Sequence, residues 1–463
     1  MACGDGCDVP GNSGASFAIH IQNTSRFFIC AQSDNEDKNI PVNIMKKSNT
    51  KKLSVAILSA GFVDWGGGIE FLRHILHGLL WIKKERNLKI YLILEEELKH
   101  RRIGEVTKNI FKFIFKDKLN FLTKISATGN VELLQAISSV ATEIEIIRYN
   151  GNVRSLENVL SHINAEVILP CIKVFGKRFS VPWIGYIWDF QHRYYPNYFK
   201  RHEIFIRDRH FRLMVKNAKV LLVNSISVKE DINRFFPGHS STVIALPFLA
   251  PLPKEWLDPS PLGLPARYKL PKKYFLISNQ FWIHKSHPTA FKALRYLLDH
   301  TGKKDIFIVC TGLMYDYRFP GYMGNLMEEI SELRLQDHIL LLGHIPKFDQ
   351  ICIMKGCIAV IQPTLFEGGP GGGSVYDAVA LGVPSIVSDI PVNKEIVDNN
   401  VLFFKAGSEQ DLYQNMLKII DSPRRIMEME ELMSSENKRV ERYAAKLLEA
   451  IQSARSDFHP GRK

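Results

Sequence analysis

The stretch between Ile358 and Pro384 constrains the fold of this 463-residue chain more than any other part of it. An apolar run at 358–361 predicts a buried strand, and residues 374–381 predict a helix that ends at Gly382. The loop between them holds glycine at five of the six positions 368–373. Glycine permits backbone conformations that other residues avoid, and its N–H group can closely approach an anion. Strand, glycine loop and helix in this order predict an α/β fold with an anion site at the start of the helix.

Two acids flank this loop, Glu367 before the glycines and Asp377 within the helix. Backbone N–H groups at a helix start neutralise phosphate, and carboxylates accept hydrogen bonds from sugar hydroxyls. A glycine-rich turn can also serve tight packing alone. The flanking acids favour the other interpretation, which is a place to hold a phosphorylated sugar.

At this point the sequence resembles the retaining glycosyltransferases of family 4, which have the GT-B fold. Their signature is a glutamate, seven residues and then Glu-Ala, followed by Gly-Val-Pro and a short strand. Glu367 matches the first acid, and Asp377-Ala378 matches the second with aspartate for glutamate and nine intervening residues. Residues 382–384 complete the pattern. The resemblance implies two Rossmann-like domains facing across a cleft, and transfer of a sugar from a nucleotide-sugar.

A second part of the resemblance lies at Trp183–Pro196. Here an apolar strand delivers Asp189 and His192 to its carboxyl end, where α/β sheets place their ligands. Family members usually carry His-Asp after this strand, and mannosyltransferase-like members continue with Gln-His-x-x-x-Pro. Asp189 is retained, Trp188 replaces the usual histidine, and His192 belongs to the second pattern. The resemblance therefore implies a catalytic role for Asp189 and contact between His192 and the acceptor or sugar.

The third part of the resemblance is the turn at 279–287, which follows a strand and precedes a helix. Relatives carry an arginine and, five residues later, a lysine, both on the donor diphosphate. Lys285 matches the lysine, while Gln280 stands at the arginine position. Near the N-terminus, Gly67 and Gly68 follow the first strand and match glycines that lie under the donor diphosphate in GT-B enzymes. They do not form a dinucleotide fingerprint, because G-x-G-x-x-G is absent.

Alternating apolar strands and helical stretches on both sides of a proline-rich segment predict two parallel α/β domains. We expect a poorly ordered extension at 1–50, an acceptor domain at 51–250 and a nucleotide-sugar domain at 251–430. We expect a final helix at 431–463 that returns to the first domain, as GT-B chains usually do.

A net charge of +12 implies anionic partners. Nucleic acid ranks last among them, because no zinc-finger spacing, RNA-recognition signature or basic heptad helix is present. The basic, phenylalanine-bearing segment 99–118 predicts either contact with an anionic membrane or a solvated helix. The sequence has no secretory signal, no run of about 18 apolar residues and no disulfide pattern in its seven cysteines. These features predict a cytoplasmic protein, peripheral to the membrane at most.

The sequence therefore predicts a metal-independent, retaining hexosyltransferase with no cofactor, since no Asp-x-Asp pair is present. We expect Lys285 and Glu367 to carry donor binding and transfer, and Asp377 to hold the ribose. The donor site further includes Gln280, Gly67, Gly68, Gly371, Gly372, Gly373 and Ser374. The motifs look most like bacterial polysaccharide or lipopolysaccharide mannosyltransferases, so GDP-mannose is the first-choice donor and a glycan or lipid-linked glycan the acceptor. The alternatives are a GT-B sugar-nucleotide epimerase or hydrolase, and a noncatalytic sugar-binding subunit.

Overall fold

The computed structural model describes residues 52–64, 66–96, 129–257, 264–422 and 427–456. The predicted extension at 1–50 and the basic segment 99–118 lie outside these ranges. Every strand of the described chain belongs to one of two sheets, and neighbouring strands in both sheets are parallel.

The first sheet has seven strands in the order β3-β2-β1-β4-β5-β6-β7. Its strands are short apolar runs because helices cover both faces, so neither face needs polar side chains. They are β1 (Leu53–Leu58), β2 (Leu88–Glu95), β3 (Glu145–Tyr149), β4 (Val167–Cys171), β5 (Trp183–Tyr186), β6 (Val220–Val223) and β7 (Thr242–Ala245).

The helices of this domain begin where the chain supplies caps or glycines. Asn152 and Ser225 each accept a hydrogen bond from the backbone N–H three residues ahead, which fixes the starts of the helices that follow them. The helices are α1 (Gly66–Glu85), α2 (Val153–His162), the single turn α3 (Gln191–Tyr194), α4 (Arg201–Asn217) and α5 (Ile226–Phe235). Residues 129–136 are also helical.

The second sheet has six strands in the order β10-β9-β8-β11-β12-β13. They are β8 (Tyr274–Ser278), β9 (Phe307–Thr311), β10 (Ile339–Leu341), β11 (Val360–Gln362), β12 (Ser385–Ser388) and β13 (Val401–Phe404). The helices are α6 (Leu264–Arg267), α7 (His287–Thr301), α8 (Tyr322–Glu332), α9 (Lys347–Gly356), α10 (Gly372–Ala380), α11 (Glu409–Ile420) and α12 (Met429–Arg455).

The strand order reverses between β1 and β4 in the first sheet and between β8 and β11 in the second. Open α/β sheets bind ligands outside the carboxyl ends of the strands at such a reversal. The turn that carries Lys285 follows β8, and the loop that carries Glu367 follows β11. The fold therefore brings these two predicted site residues to one reversal point.

Two segments connect the domains. The proline-rich segment after β7 packs on the second domain, where Ala250, Leu252 and Trp256 are buried beside side chains of α9 and α10. The last helix, α12, packs against α1 and the first sheet, so it returns to the first domain. Gly78 permits this close approach, since a Cβ there would lie 2.9 Å from the Tyr443 ring. No helix in the described ranges is long and apolar enough to cross a bilayer.

Candidate active site

The glycine loop ends in two left-handed residues that open α10. Gly371 has φ +71° and Gly372 has φ +65°, values that residues other than glycine rarely adopt. A Cβ on Gly372 would also lie 3.0 Å from the Gln362 amide nitrogen. Gly373 is exposed, and no described atom lies within 4 Å of a Cβ built on it. Ser374 is buried, and its hydroxyl has no hydrogen-bond partner in the described part of the chain. The Gly371 N–H donates to Asn393 at 2.8 Å, so the first turn of α10 beyond Gly371, with open space beside Gly373, is the part of this helix start that suits an anion.

Lys285 and Glu367 lie beside this helix start and contact each other. The lysine Nζ is 2.5 Å from Glu367 Oε1, and each side chain is 11% exposed. Gln362 donates a second hydrogen bond to the same carboxylate oxygen at 2.9 Å, and Asn279 in turn donates to Gln362. This chain of hydrogen bonds fixes one carboxylate and one ammonium at the edge of the second sheet.

Asp377 lies on the next turn of α10 and is paired with Lys347, the first residue of α9. Lys347 Nζ is 2.5 Å from Asp377 Oδ2, and the ammonium also lies over the Trp256 ring. Burial raises the pKa of Asp377, while the Lys347 charge opposes that shift. The sequence motif gave no indication of Lys347, which comes from a different strand–helix unit.

The first domain contributes Asp189, which follows β5. Its Oδ1 accepts hydrogen bonds from the Gln191 backbone N–H at 2.8 Å and from Arg207 at 3.0 Å. The glycine loop of the second domain touches this point directly. A Cβ on Gly368 would lie 2.3 Å from the Trp188 carbonyl oxygen and 2.9 Å from Asp189 Cβ. Asp189 is therefore brought to the interface with the predicted donor loop.

The structure does not bring His192 to this interface. Its side chain is 0% exposed and its Nε2 lies 2.9 Å from Asp208. Burial lowers the pKa of His192 to about 4, so the ring is neutral at physiological pH. The contact between His192 and a substrate stays a prediction that this conformation does not support, because the ring has no exposed surface. The preceding residue, Gln191, faces the second domain instead.

Arg318 is a cation at the interface that the sequence motifs missed. It lies after β9, donates to Gln191 Oε1 at 2.9 Å and lies over the Trp282 and Phe199 rings. Its side chain is 9% exposed, and Asp316 lies 3.5 Å from its Nε. The family spacing concerns only positions 280 and 285, so nothing in it indicates an arginine from another loop.

The remaining predicted donor residues lie at the ends of elements. Gln280 is exposed, and its carbonyl accepts the Trp282 N–H. Gly67 is exposed and Gly68 buried in the first turn of α1. Two turns further, the His74 ring lies 5.2 Å from the Tyr376 ring of α10. The start of α1 thus belongs to a helix that contacts α10.

Polar contacts hold the two domains together around these residues. Glu395 accepts from the Ile226 and Ser227 backbone N–H groups at 2.8 and 2.9 Å, so it caps α5 across the interface. Ser225 donates to the Gly368 carbonyl, and Tyr195 donates to the Leu365 carbonyl, both at 3.2 Å. Within the described ranges, no three His, Cys, Asp or Glu residues gather as a metal site would need.

Solved structures with the same architecture extend over nearly the whole chain. A structure of Anabaena HepE in complex with UDP and glucose superposes with a TM-score of 0.57 at 14% identity, covering 88% of this chain and 100% of that one. Sucrose-phosphate synthase of Thermosynechococcus elongatus superposes with a TM-score of 0.55 at 13% identity, covering 87% and 98%. The fold is GT-B. The predicted fold class is thereby confirmed, and the interface described above is the GT-B cleft.

A family model matches the second GT-B domain and part of the last helix. Residues 266–441 match the family described as Glycosyl transferases group 1. The O-antigen chain mannosyltransferase RfbU of Salmonella typhimurium is 25% identical over 238 residues, which is 50% of this chain and 59% of RfbU. Glycosyltransferase 1 domain-containing protein 1 of Xenopus tropicalis is 27% identical over 127 residues, 27% of this chain and 34% of that protein. The chain thus spans less than two thirds of either relative.

Proposed function

We propose that this protein is a retaining glycosyltransferase that moves a hexose from a nucleotide-sugar to a glycan or lipid-linked glycan. The observation that carries the proposal is the contact between Lys285 and Glu367 beside the open start of α10. A nucleotide-sugar presents a diphosphate and a ring of hydroxyls side by side. An ammonium and free N–H groups suit the first, and a fixed carboxylate suits the second.

The chemistry follows from where charge develops. Negative charge builds on the departing phosphate as the bond to the anomeric carbon breaks, and positive character builds on the sugar. Lys285 and the α10 N–H groups stabilise the phosphate, and Glu367 holds the sugar hydroxyls. We assign Arg318 as a further cation for this charge, since it lies over Trp282 in the same turn from which the family's arginine is missing. Neither Glu367 nor Asp377 is required as a metal ligand in this scheme.

Retention of configuration is proposed from the family resemblance. The acceptor hydroxyl attacks from the face that the phosphate leaves, and a phosphate oxygen takes the acceptor proton. Asp189 lies on the acceptor side of the cleft, held by Arg207. There it can accept a hydrogen bond from the incoming hydroxyl group and orient it.

We propose GDP-mannose as the donor, with a polysaccharide or lipopolysaccharide-type acceptor at the cytoplasmic face of a membrane. The support is the pair of motifs at 191–196 and 280–285 together with the similarity to RfbU, whose name records mannosyl transfer to O-antigen chains. The predicted membrane contact at 99–118 lies outside the described residues.

The test is transfer by purified protein in the presence of EDTA, after thermal-shift selection of a donor among nucleotide-sugars. Lys285→Ala and Glu367→Gln should each lower the turnover rate about 100- to 1000-fold. Lys272→Ala and Glu332→Gln change exposed residues of the same domain and should leave it unchanged.

Three results would contradict the proposal. Turnover by both site variants within about threefold of wild type would remove the assigned roles. Hydrolysis or epimerisation of the donor without transfer to any acceptor would support the alternative enzyme classes. Donor binding without turnover would indicate a noncatalytic sugar-binding subunit.

A further inference from the structure

Helix α4 carries an exposed basic face that none of the site chemistry uses. Arg201, Arg209, Arg212 and Lys216 are exposed on it, and no ion pair with another described residue engages any of the four. The helical period of 3.6 residues places these four side chains and Phe205 within an arc of about 80°. One side of a 17-residue helix therefore presents four cations.

The acids of α4 do not neutralise this face. Glu203 accepts the Lys200 backbone N–H at the start of the helix, and Asp208 pairs with Arg193 and His192. Both carboxylates are thus engaged locally.

Two large apolar side chains are exposed among these cations. Phe205 is 65% exposed and Leu213 is 42% exposed. A purely solvated helix face needs no such side chains, whereas a helix that lies on a bilayer combines cations with apolar groups that enter the lipid interface. The combination favours a lipid surface over a soluble anion.

The opposite side of the same helix reaches the cleft. Arg207 contacts Asp189 and lies over the Trp188 and Phe199 rings, while Phe211 and Met214 are buried in the first domain. A surface docked on the outer face of α4 would therefore lie one helix diameter, about 10 Å, from the acceptor side of the cleft.

We propose that the face formed by Arg201, Phe205, Arg209, Arg212, Leu213 and Lys216 docks on an anionic phospholipid bilayer and so presents the cleft to a lipid-linked acceptor. The second half of this statement rests on the proposed function, and the first does not. The docking charges come from lipid headgroups, and their attraction weakens as salt screens them.

The experiment is co-sedimentation of the full chain with phosphatidylcholine vesicles that contain or lack phosphatidylglycerol, at low and high salt. Wild type should bind only the vesicles with phosphatidylglycerol, and less at high salt. Each Lys or Arg near an anionic membrane contributes several-fold in affinity, so Arg209→Gln/Arg212→Gln/Lys216→Gln should weaken binding roughly 100-fold. Phe205→Ser should weaken binding without changing its salt dependence.

The matched control is Lys272→Gln/Lys304→Gln/Lys405→Gln, which removes the same charge from exposed positions of the second domain. It should bind vesicles as wild type does. If the control lost as much vesicle binding as the α4 variant, the effect would come from net charge alone, and the assignment of this face would be overturned. Vesicle binding by the α4 variant at the wild-type level would overturn it too. Binding to a single-stranded RNA that is lost in the same variant would instead indicate a nucleic-acid partner. Transfer to a soluble acceptor should be unchanged in the α4 variant, so failure of docking and failure of the proposed transferase are separate results.

Discussion

His287 is a buried imidazole whose two ring nitrogens have no hydrogen-bond partner among the described residues. It opens α7, and its ring stacks on Phe281 with centroids 4.3 Å apart. Burial, followed by the nearby Lys285 charge, lowers the pKa of His287 to about 3 from 6.5. Between these two pH values, the unfolded chain therefore binds a proton at His287 that the folded chain does not bind. This lowers the free energy of unfolding as pH falls from 6.5 toward 3 and has no effect above pH 6.5.

We expect His287→Phe to keep the ring stacking and to remove this proton-linked loss. At pH 8 the free energy of unfolding of the variant should match that of wild type within about 1 kcal/mol. Between pH 8 and pH 5 the variant should lose roughly 2 kcal/mol less of this free energy than wild type does. Urea unfolding across this range measures both. The control is His162→Gln, an exposed histidine, which should follow the wild-type pH dependence. A His287→Phe variant that loses stability as steeply as wild type would contradict the prediction.

At the candidate site, a residue's position could be predicted from the sequence only where the residue directly follows the end of a strand. Lys285 and Glu367 each follow a strand at the reversal of the second sheet, so their meeting follows from topology. The partner of Asp377 could not be found this way, because Lys347 arrives from α9. His192 shows the opposite failure. The short helix α3 turns adjacent residues in different directions, so Gln191 contacts Arg318 while His192 is buried.

At the scale of the element, the glycine loop is shaped by the domain it touches as much as by any substrate. A Cβ on Gly368 would have backbone and Cβ atoms of the first domain within 3 Å, whereas a Cβ on Gly373 would have no atom of the described residues within 4 Å. Gly368→Ala should therefore force the loop away from Trp188 and destabilise the protein by about 1–3 kcal/mol, as overpacking does.

Gly373→Ala is the matched control within the same loop. It lies in the first turn of α10 and should be neutral or slightly stabilising, because alanine favours helix over glycine by up to about 1 kcal/mol. Urea unfolding compares the two variants, and small-angle scattering reports whether Gly368→Ala separates the domains. Equal stability of the two variants would show that the Trp188 contact is not restrictive.

Most strands could be predicted from the sequence, because strands covered on both faces are uninterrupted apolar runs. Helix starts were less predictable. The α10 helix begins at Gly372, two residues before the expected Ser374. The α12 helix begins at Met429, two residues before the expected 431, and Leu432 in its first turn packs in the second domain. That tertiary contact leaves no mark in the local pattern.

At the scale of the whole molecule, the two domains are joined by a carboxylate that belongs to one and caps a helix of the other. Glu395 accepts two backbone N–H groups and the Ser227 hydroxyl at the start of α5. Burial raises the pKa of Glu395, and these hydrogen bonds oppose the shift. Ser225, the local cap of the same helix, also donates to Gly368 in the glycine loop. The start of α5 is therefore hydrogen-bonded both to the glycine loop and to Glu395 of the second domain.

We expect Glu395→Ala to open the cleft. Without the carboxylate, the α5 N–H groups bind water as well in an open cleft as in a closed one, so the closed state loses the charged acceptor that favoured it. The free energy of unfolding should fall by about 1–2 kcal/mol. The radius of gyration in small-angle scattering should increase, and the turnover rate of transfer should fall.

Ser408→Ala is the control, since it removes a cap from α11 within the second domain alone. It should cost about 1 kcal/mol of stability while leaving the radius of gyration and the turnover rate unchanged. If Glu395→Ala lowered stability as Ser408→Ala does and left the radius and turnover at wild-type values, Glu395 would be an ordinary helix cap and closure of the cleft would depend on other contacts.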